Sequence, residues 1–402
     1  MTLRDDALAV QPDLVQLRRE LHGIPELGLD LPRTQERVLV ALDGLPLEIT
    51  TGTSATSVTA VLRGGAPGQR SVLLRGDMDA LPVHERTGLE YAATGDTMHA
   101  CGHDLHTSML VGAARVLCAN RDQLAGDVVF MFQPGEEGQD GARHMIEEGV
   151  LDAAGRRVDA ALAIHVASSF FPAGVFTTRA DTIMSAADTL YVTVRGRGGH
   201  GSAPHRAMDP IPAACEMVTA LQTFVTRRFD VFDPVIVTVG SFHAGTVFNV
   251  IPDTASFEAT VRSFSRDAHA QVLREITRVC EGIASAYGLE VDARADELYP
   301  VTVNAAEQVG WARDCVVERH GEHRFVELPN PLSGSEDFSR VVEAVPGAMV
   351  FLGATPADRD PATAPFNHSP EAAFDDSVMP DGVTLYADYA VSALQAPGGE
   401  HG

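Results

Sequence analysis

Two hydrophobic patterns divide the chain into parts of different architecture. In the first part, short continuous apolar runs alternate with segments whose apolar residues recur at helical spacing. The runs predict buried strands, and the spaced segments predict helices. The strands are expected at 70–76, 127–133 and 159–166, and the helices at 8–22, 33–43 and 105–120. Strands that alternate with helices indicate a largely parallel sheet covered by helices, which is an α/β fold.

The pattern changes near residue 187. The segment DTLYVTVRG alternates polar and apolar residues, which predicts a strand with one buried face. Further elements are expected as a helix at 209–227, strands at 235–242 and 254–264, a helix at 266–286 and a strand at 289–296. This βαββαβ order predicts a compact α+β sandwich of antiparallel sheet and two helices.

The α/β pattern resumes after residue 298, with a strand at 348–354 and a last helix at 376–396. A chain of 402 residues is longer than one hydrophobic core usually supports, so two domains are expected. We predict an α/β domain made of residues 1–186 and 298–402, interrupted by an α+β domain at 187–297.

Charge and composition limit the classes of partner. The formal net charge of −25 argues against nucleic acid and anionic membrane surfaces, because like charges repel. No apolar run approaches the length of a membrane span, and the N-terminus lacks the apolar core of a secretory signal. Five widely spread cysteines suit a reducing compartment. We therefore expect a cytoplasmic protein with no nucleic-acid or membrane partner.

Polar side chains follow the predicted sheet strands at the points where those strands end. Asp77 and Asp79 come after the first strand, Glu136 and Glu137 after the second, and His165 ends the third. The carboxyl ends of parallel strands share one edge of a sheet, and ligands bind there. We expect these side chains to converge at that edge.

Two further segments supply metal-binding residue types. HACGHDLHTSML places Cys101, His103, Asp104 and His106 where a loop runs into a helix, and His368 follows the strand at 348–354 across a loop. Each residue alone has an ordinary structural interpretation, such as a turn former or a buried thiol. Together, imidazole, thiolate and carboxylate suit Zn²⁺ or a similar late divalent ion.

Seven motifs closely resemble those of the M20 metallopeptidases, in particular their amidohydrolase branch. In chain order they are RGDMDALP, HACGHDLHTSML, QPGEEG, GGHGSAPH, NVIPD, SGSEDF and NHSPE. That branch includes hippurate hydrolases, N-acyl amino acid amidohydrolases and plant auxin-conjugate hydrolases. The resemblance covers essentially the whole chain. It implies a zinc-peptidase-like catalytic domain and an inserted lid or dimerisation domain, through which a homodimer forms.

The resemblance also implies a site with two divalent ions per subunit. Cys101 takes a bridging position that is filled by Asp in the peptidase branches. Glu137 and His368 would complete one metal, and His103 and His165 would complete the other. Zn²⁺ is the first expectation, while Mn²⁺, Co²⁺ and Ni²⁺ also fit such a donor set.

Residues around the ions receive roles from the same resemblance. Glu136 matches the general base, and Asp79 matches a carboxylate that orients the metal ligands. Asp104 and His106 are expected to surround the ligands without binding metal.

The inserted domain supplies residues for the substrate. His200 matches a histidine that supports the oxyanion and that can act on the site of the other subunit. Asn249 and Arg262 match groups that contact the substrate carboxylate and carbonyl. Their plain structural interpretations are a turn residue and a surface charge on a strand. His205 and Glu336 are weaker candidates, for which a structural role stays open.

The favoured interpretation is a two-metal amidohydrolase that splits an N-acyl amino acid into a carboxylate and a free amino acid. A dipeptidase or carboxypeptidase of the same family is the alternative. A cysteine hydrolase that uses Cys101 is more remote, because it leaves Glu136 and the other candidate ligands unexplained. A non-catalytic metal-binding protein also leaves Glu136 unexplained. GRGGHG at 196–201 matches a dinucleotide-binding spacing, but no helix begins within that turn.

Overall fold

The computed structural model describes residues 2–396. Residues 1 and 397–402, at the ends of the predicted α/β domain, lie outside the described residues. Within the described chain, contacts define two compact units. The α/β unit comprises 2–183, 303–330 and 340–396, and the inserted unit comprises 184–302 and 331–339.

Helices and strands alternate along most of the chain. The helices are α1 (Leu3–His22), α2 (Pro32–Leu42), α3 (His103–Ala119), α4 (Glu136–Gln139), α5 (Gly141–Glu147), α6 (Pro210–Arg228), α7 (Arg266–Ala286), α8 (Ala306–His320), α9 (Ser339–Ala344) and α10 (Met379–Gln395). The strands are β1 (Leu47–Thr51), β2 (Val58–Leu62), β3 (Arg70–Asp77), β4 (Gly126–Gln133), β5 (Ala160–Ala167), β6 (Phe176–Thr178), β7 (Asp181–Met184), β8 (Ala187–Arg195), β9 (Gly199–His200), β10 (Val235–Ala244), β11 (Val250–Ile251), β12 (Thr254–Ser263), β13 (Glu290–Tyr299), β14 (Thr302–Asn304), β15 (Phe325–Glu327) and β16 (Gly347–Gly353).

The α/β unit is built on a sheet which, in the described residues, has eight strands in the order β1-β2-β4-β3-β5-β16-β6-β15. The four central strands, β4, β3, β5 and β16, pair in parallel. β1 and β2 form an antiparallel extension at one end. The predicted parallel sheet is therefore confirmed at its centre, where the carboxyl ends of four strands share one edge.

Burial on both faces explains the continuous apolar runs of the central strands. Val72, Leu73 and Leu74 of β3 are inaccessible to solvent, as expected for parallel strands covered by helices on both sides. Helix α3 packs against β3 and contacts both α1 and α10. It is apolar or small around most of its circumference because it is enclosed by its neighbours.

The inserted unit has its own core. Its antiparallel sheet has the order β10-β12-β8-β13, and helices α6 and α7 pack on it. Buried and more exposed residues alternate along β12, which explains the period-two pattern of its sequence. The inward residues include Phe257 and Val261. The predicted βαββαβ order is confirmed by this arrangement.

Among the helices of residues 2–396, none combines the length and the apolar character that crossing a membrane requires.

Candidate metal centre

The turn before α3 places Cys101 and His103 on either side of a glycine. Gly102 has a φ of +88°, a left-handed conformation that favours glycine. A Cβ atom at this position would lie 2.4 Å from Cγ2 of Val166. The glycine therefore lets the chain pass close to the end of β5, which carries His165.

Cys101, His103 and His165 form one possible ligand group. One potential ligand atom from each lies within 4.8 Å of the others. The Sγ atom of Cys101 is 3.4 Å from Nε2 of His165. The Nδ1 atom of His165 lies 2.8 Å from the carbonyl oxygen of Val166, to which it can donate. This contact fixes the tautomer that leaves Nε2 available as a ligand.

A second group consists of Cys101, Glu137 and His368. One potential ligand atom from each also lies within 4.8 Å of the others. Nε2 of His368 lies 3.1 Å from Oε1 of Glu137. His368 adopts a left-handed φ of +72°, and its backbone N–H donates to the carbonyl oxygen of Ala100 at 2.8 Å. That hydrogen bond ties the His368 loop to the segment that carries Cys101.

The electrostatics of the cluster favour a bound cation. The thiol of Cys101 and the carboxylate of Glu137 raise the pKa of His368 to about 10. Burial opposes protonation of His103, yet Asp77 and Cys101 raise its pKa well above the ordinary value. Carboxylates and a thiol thus surround these imidazoles, and a divalent ion can bind such a donor set in place of protons.

The residues fit a metal in their donor chemistry as well. Neither ring nitrogen of the buried His103 makes a regular hydrogen bond among residues 2–396; each has a carboxylate oxygen only at 3.5 Å, from Asp77 at Nε2 and from Asp79 at Nδ1. Buried nitrogens with such long contacts are better satisfied when one of them binds a ligand. Desolvation lowers the pKa of His165 well below its ordinary value, which keeps this imidazole in the neutral form that binds metals. Sulfur, nitrogen and oxygen donors together suit Zn²⁺ and related ions.

Asp79 organises the turn that presents Glu136 and Glu137. Its two carboxylate oxygens accept hydrogen bonds from the backbone N–H groups of these residues, each at 3.0 Å. Its Oδ1 atom also lies 3.5 Å from Nδ1 of His103. The Glu136 side chain is almost entirely buried, with 6% exposed. A carboxylate placed between two ligand-bearing segments matches an orienting role.

His106 and Asp77 are occupied with each other. His106 Nδ1 lies 2.6 Å from Oδ1 of Asp77, and its Nε2 accepts the backbone N–H of Val166 at 2.8 Å. Both ring nitrogens are therefore used, which supports the interpretation that His106 is not a ligand. Burial opposes ionisation of Asp77, but Arg75, whose Nη1 is 2.6 Å away, and two histidines hold its pKa well below the ordinary value.

A buried network of ion pairs joins α3 to α1, and it was not predicted from the sequence. Asp104 Oδ2 lies 2.8 Å from both Nε of Arg18 and Nδ1 of His22. Despite burial, these partners lower the pKa of Asp104. Nε2 of His22 in turn lies 3.1 Å from a carboxylate oxygen of Glu85. The only sequence signal was an Arg and a His on the apolar face of the predicted helix at 8–22.

In the inserted unit, the structure brings His200 and Asn249 together. β9 pairs with β11 so that His200 lies opposite Val250, and the N–H of Gly201 donates to the carbonyl oxygen of Asn249 at 2.8 Å. Both side chains are exposed. The backbone N–H of Ser202 donates to Nδ1 of His200 at 3.1 Å. Nδ1 is therefore the acceptor, and the neutral ring carries its proton on Nε2.

The other candidates of this unit lie in different surroundings. Arg262 is half-buried on β12, and its Nη1 donates to Oγ of Ser335 at 2.9 Å. His205 is exposed in a turn. Glu336 is buried and accepts the N–H of Phe338 at 3.0 Å, a contact typical of a structural residue.

The family model described as Peptidase family M20/M25/M40 matches residues 73–392. Thermostable carboxypeptidase 1 of Saccharolobus solfataricus is 36% identical over 394 residues, which cover 97% of each chain. N-acetyl-L-cysteine deacetylase of Bacillus subtilis is 35% identical and covers 90% of this chain and 86% of its own.

A solved structure gives the same result. A Bacillus subtilis protein described as a dinuclear metal-binding peptidase from the M20 family superposes with a TM-score of 0.82 and 30% identity. The match covers 96% of this chain and 99% of that one. Similarity of this extent holds for both units and for their order along the chain.

Proposed function

Since this chain belongs to peptidase family M20/M25/M40 and is a hydrolase, we propose that it is a two-metal amidohydrolase acting on N-acyl amino acids. The products are a carboxylate and a free amino acid. One observation carries the proposal: two ligand groups overlap on a single atom, the Sγ of Cys101. An atom shared by two such groups suits a bridging thiolate between neighbouring ions.

The ligands divide into two sets. Cys101, His103 and His165 would hold one divalent ion, and Cys101, Glu137 and His368 would hold the other. Bound ions would polarise the scissile carbonyl and lower the pKa of a water molecule. The donor set is compatible with Zn²⁺ first, and with Mn²⁺, Co²⁺ or Ni²⁺.

Glu136 is the proposed general base. It is buried beside the ligand Glu137, and the backbone of both residues is held by Asp79. Its carboxylate would take a proton from the attacking water and then deliver that proton to the leaving nitrogen. Asp79 would fix the turn so that one Glu binds metal while its neighbour transfers the proton.

His200 is the proposed donor to the developing oxyanion. Because Nδ1 accepts the N–H of Ser202, the neutral ring carries its proton on Nε2, at the outer end of the side chain. An exposed N–H of this kind can stabilise negative charge on the former carbonyl oxygen. Asn249 and Arg262 would bind the carboxylate end of the substrate, and His205 is a weaker candidate for the same task.

The names of the relatives support this substrate class and also define the alternative. One relative is named a deacetylase of an N-acetyl amino acid, whose bond is an amide to an acyl group. Another is named a carboxypeptidase, so a peptidase acting next to a free carboxylate is the second candidate. Both reactions need a carboxylate-binding group such as Arg262, and they differ only in the acyl portion.

We also propose a homodimer formed through the inserted unit. β10 is an edge strand, and Ile236 and Phe242 on it are exposed apolar residues. An unpaired strand edge is a template for pairing with a second chain. Pairing with the same strand of another copy would give a twofold dimer.

A substrate screen tests the reaction. The enzyme is loaded in turn with Zn²⁺, Mn²⁺, Co²⁺ and Ni²⁺ and assayed against acetyl-, benzoyl-, long-acyl- and indoleacetyl-amino acids beside dipeptides. We expect release of the free amino acid from an acyl substrate, and loss of turnover after removal of metal with a chelator. A preference for dipeptides would favour the carboxypeptidase alternative. Full activity after complete metal removal would contradict the two-metal proposal.

A further inference from the structure

The candidate ligands come from segments that are far apart in sequence, and one side chain joins three of these segments. Asn367 precedes His368 in the loop after β16. Its carboxamide contacts Cys101 and the end of β5, at Val166 and Ser168, which follow His165 by one and three residues. Asn367 is the first residue of the NHSPE motif and belongs to neither ligand set.

Both ends of the Asn367 carboxamide are engaged. Nδ2 donates to the carbonyl oxygens of Cys101, at 3.1 Å, and Val166, at 3.0 Å. Oδ1 accepts the N–H of Ser168 at 2.9 Å and its hydroxyl at 3.0 Å. Nδ2 also lies 3.9 Å from Sγ of Cys101. A carboxamide is the side chain that offers two donors and an acceptor in this short, planar form.

We propose that Asn367 is a positioning residue of the metal centre. Its carboxamide fixes Cys101, the end of β5 and the His368 loop relative to one another, so that one sulfur atom can serve two ions. The inference rests on the proposed two-metal function. It adds that binding of one ion depends on Asn367 more than binding of the other does.

The two ligand sets differ in the secondary structure that holds their side chains in place. His103 begins α3 and His165 lies within β5, so regular hydrogen bonding holds both. His368 instead lies on a loop, its side chain is 53% exposed, and it has a left-handed φ. Its neighbour Asn367 and the contact to Ala100 restrain that loop. Loss of the carboxamide should therefore weaken binding of the ion held by Cys101, Glu137 and His368 more than binding of the other ion.

The variant Asn367→Asp separates the two halves of the carboxamide. An ionised Asp keeps the shape and still accepts from Ser168, but it loses both donors and faces two carbonyl oxygens with a negative charge. The titration uses Co²⁺ as the probe, with a competing chelator and the full-length protein. We expect the Co²⁺ site that contains Glu137 and His368 to lose about tenfold to a hundredfold in affinity, and the other site to change much less.

Absorption provides a readout that a general loss of stability would not change. Co²⁺ bound to a thiolate gives a sulfur-to-metal charge-transfer band, which reports how Cys101 contacts the ion. We expect the band to shift in Asn367→Asp, because the carbonyl and the sulfur of Cys101 both lie against the substituted group. If Asn367→Asp does not fold, Asn367→Ser replaces it, since serine is neutral and keeps one donor.

Asn304 offers a matched control in the same unit. It is buried, its Nδ2 donates to the carbonyl oxygens of Arg179 and Met349, and its Oδ1 accepts the N–H of Met349. Asn304→Asp therefore carries the same chemical change in a similarly saturated carboxamide, whose partners within residues 2–396 include no proposed ligand. We expect both Co²⁺ affinities and the band to stay at their wild-type values.

The outcomes distinguish this inference from the proposed function. If the wild-type protein binds two Co²⁺ ions while Asn367→Asp and Asn367→Ser bind both with unchanged affinity and spectrum, the positioning role is wrong. The same conclusion follows if Asn304→Asp weakens binding as much as Asn367→Asp does. If the wild-type protein itself binds no second ion, the two-metal function fails, whatever the variants do.

Discussion

The candidate residues of the α/β unit and those of the inserted unit differ in how strongly the structure constrains them. His103 and Asp77 are inaccessible to solvent, whereas His200, His205 and Asn249 are exposed. Buried polar atoms must find partners, so the ring nitrogens of His103, which have only long contacts of 3.5 Å to carboxylate oxygens, argue for a ligand. Exposed side chains are satisfied by water, and their roles depend on a substrate. The comparison teaches that burial within the α/β unit already argues for the metal ligands, whereas the substrate-binding residues can be tested only by experiments with substrate in solution.

The largest effect is expected from Cys101→Ala. Because Cys101 belongs to both ligand groups, its loss opens both coordination shells at once. Metal content, measured by elemental analysis, should fall together with activity, to near zero for both. His368→Ala should also lower metal content and activity, but mainly by loss of one ion, because His368 belongs to one ligand group. A Cys118→Ala variant is a control, since that buried thiol is in none of the candidate ligand groups of residues 2–396. Stoichiometric metal in Cys101→Ala would contradict the bridging role.

The adjacent residues Glu136 and Glu137 provide a matched pair for the second prediction. Glu136→Gln should keep both ions and bind substrate, while kcat falls by roughly a hundredfold or more, because a positioned base is lost. Glu137→Gln should instead lower metal content, because it removes a ligand. Metal analysis and steady-state kinetics on both variants check this. If the two phenotypes are exchanged, the assignments of base and ligand are reversed.

The sequence predicted most of the fold because its main elements are buried in simple ways. The continuous apolar runs at β3, β4 and β5 are strands covered on both faces, and the alternating run at β12 has one buried face. Such burial leaves a direct period in the sequence. The antiparallel extension by β1 gave a weaker signal, because most of its residues are exposed.

The candidate site was predictable where residue type alone carries the chemistry. Cys101, His103 and Glu137 are metal-binding types at strand or helix ends, so pattern and resemblance both select them. The roles of Arg18, His22 and Asn367 were not predicted, because they depend on contacts between segments far apart in the chain. A sequence does not state which carbonyl an amide reaches.

The third prediction tests the exposed half of the comparison. If the protein is a dimer and His200 acts on the site of the partner, mixed dimers of His200→Ala and Glu136→Gln should contain one intact site. Random pairing at equal amounts makes about half of the dimers mixed, so roughly a quarter of wild-type activity should return. Each variant alone should be nearly inactive.

Two different affinity tags on the variants verify that mixed dimers have formed. The doubly purified fraction contains mixed dimers alone, so its activity should be roughly half that of wild type, against roughly a quarter for the unfractionated mixture. If His200 acts within its own subunit, every site carries one lesion and no activity returns. That result, with mixed dimers confirmed, would reject action in trans while leaving the metal centre unaffected. A monomeric protein at all concentrations would reject the dimer itself.

The smallest effect is expected at Asp188, a buried carboxyl group of the inserted unit that contrasts with Asp77 of the α/β unit. Asp77 in the α/β unit has Arg75 beside it, and its pKa is lowered despite burial. Asp188 in the inserted unit is 2% exposed, its Oδ1 lies 3.0 Å from Nε2 of His269, and its Oδ2 has no hydrogen-bond partner among residues 2–396. Burial, reinforced by Glu297 and opposed by His269 and Arg262, raises the pKa of Asp188 above its ordinary value of 3.8.

The sign of the effect follows from that direction. Because folding raises the pKa of Asp188, the fold prefers the neutral carboxyl, whose stabilising contribution is complete below pH 3.8 and declines as the pH rises through the native pKa. Asp188→Asn imitates the neutral form. At pH 7 the variant should be as stable as wild type or up to about 1 kcal/mol more stable, and this advantage should shrink on acidification. Urea unfolding of both proteins between pH 4 and pH 7 measures this difference in stability.

Asp77→Asn is the contrast, because it removes the carboxylate beside a buried guanidinium and should be clearly destabilising at pH 7. A large loss of stability in Asp188→Asn at pH 7 would mean that the ionised Asp188–His269 pair stabilises the inserted unit.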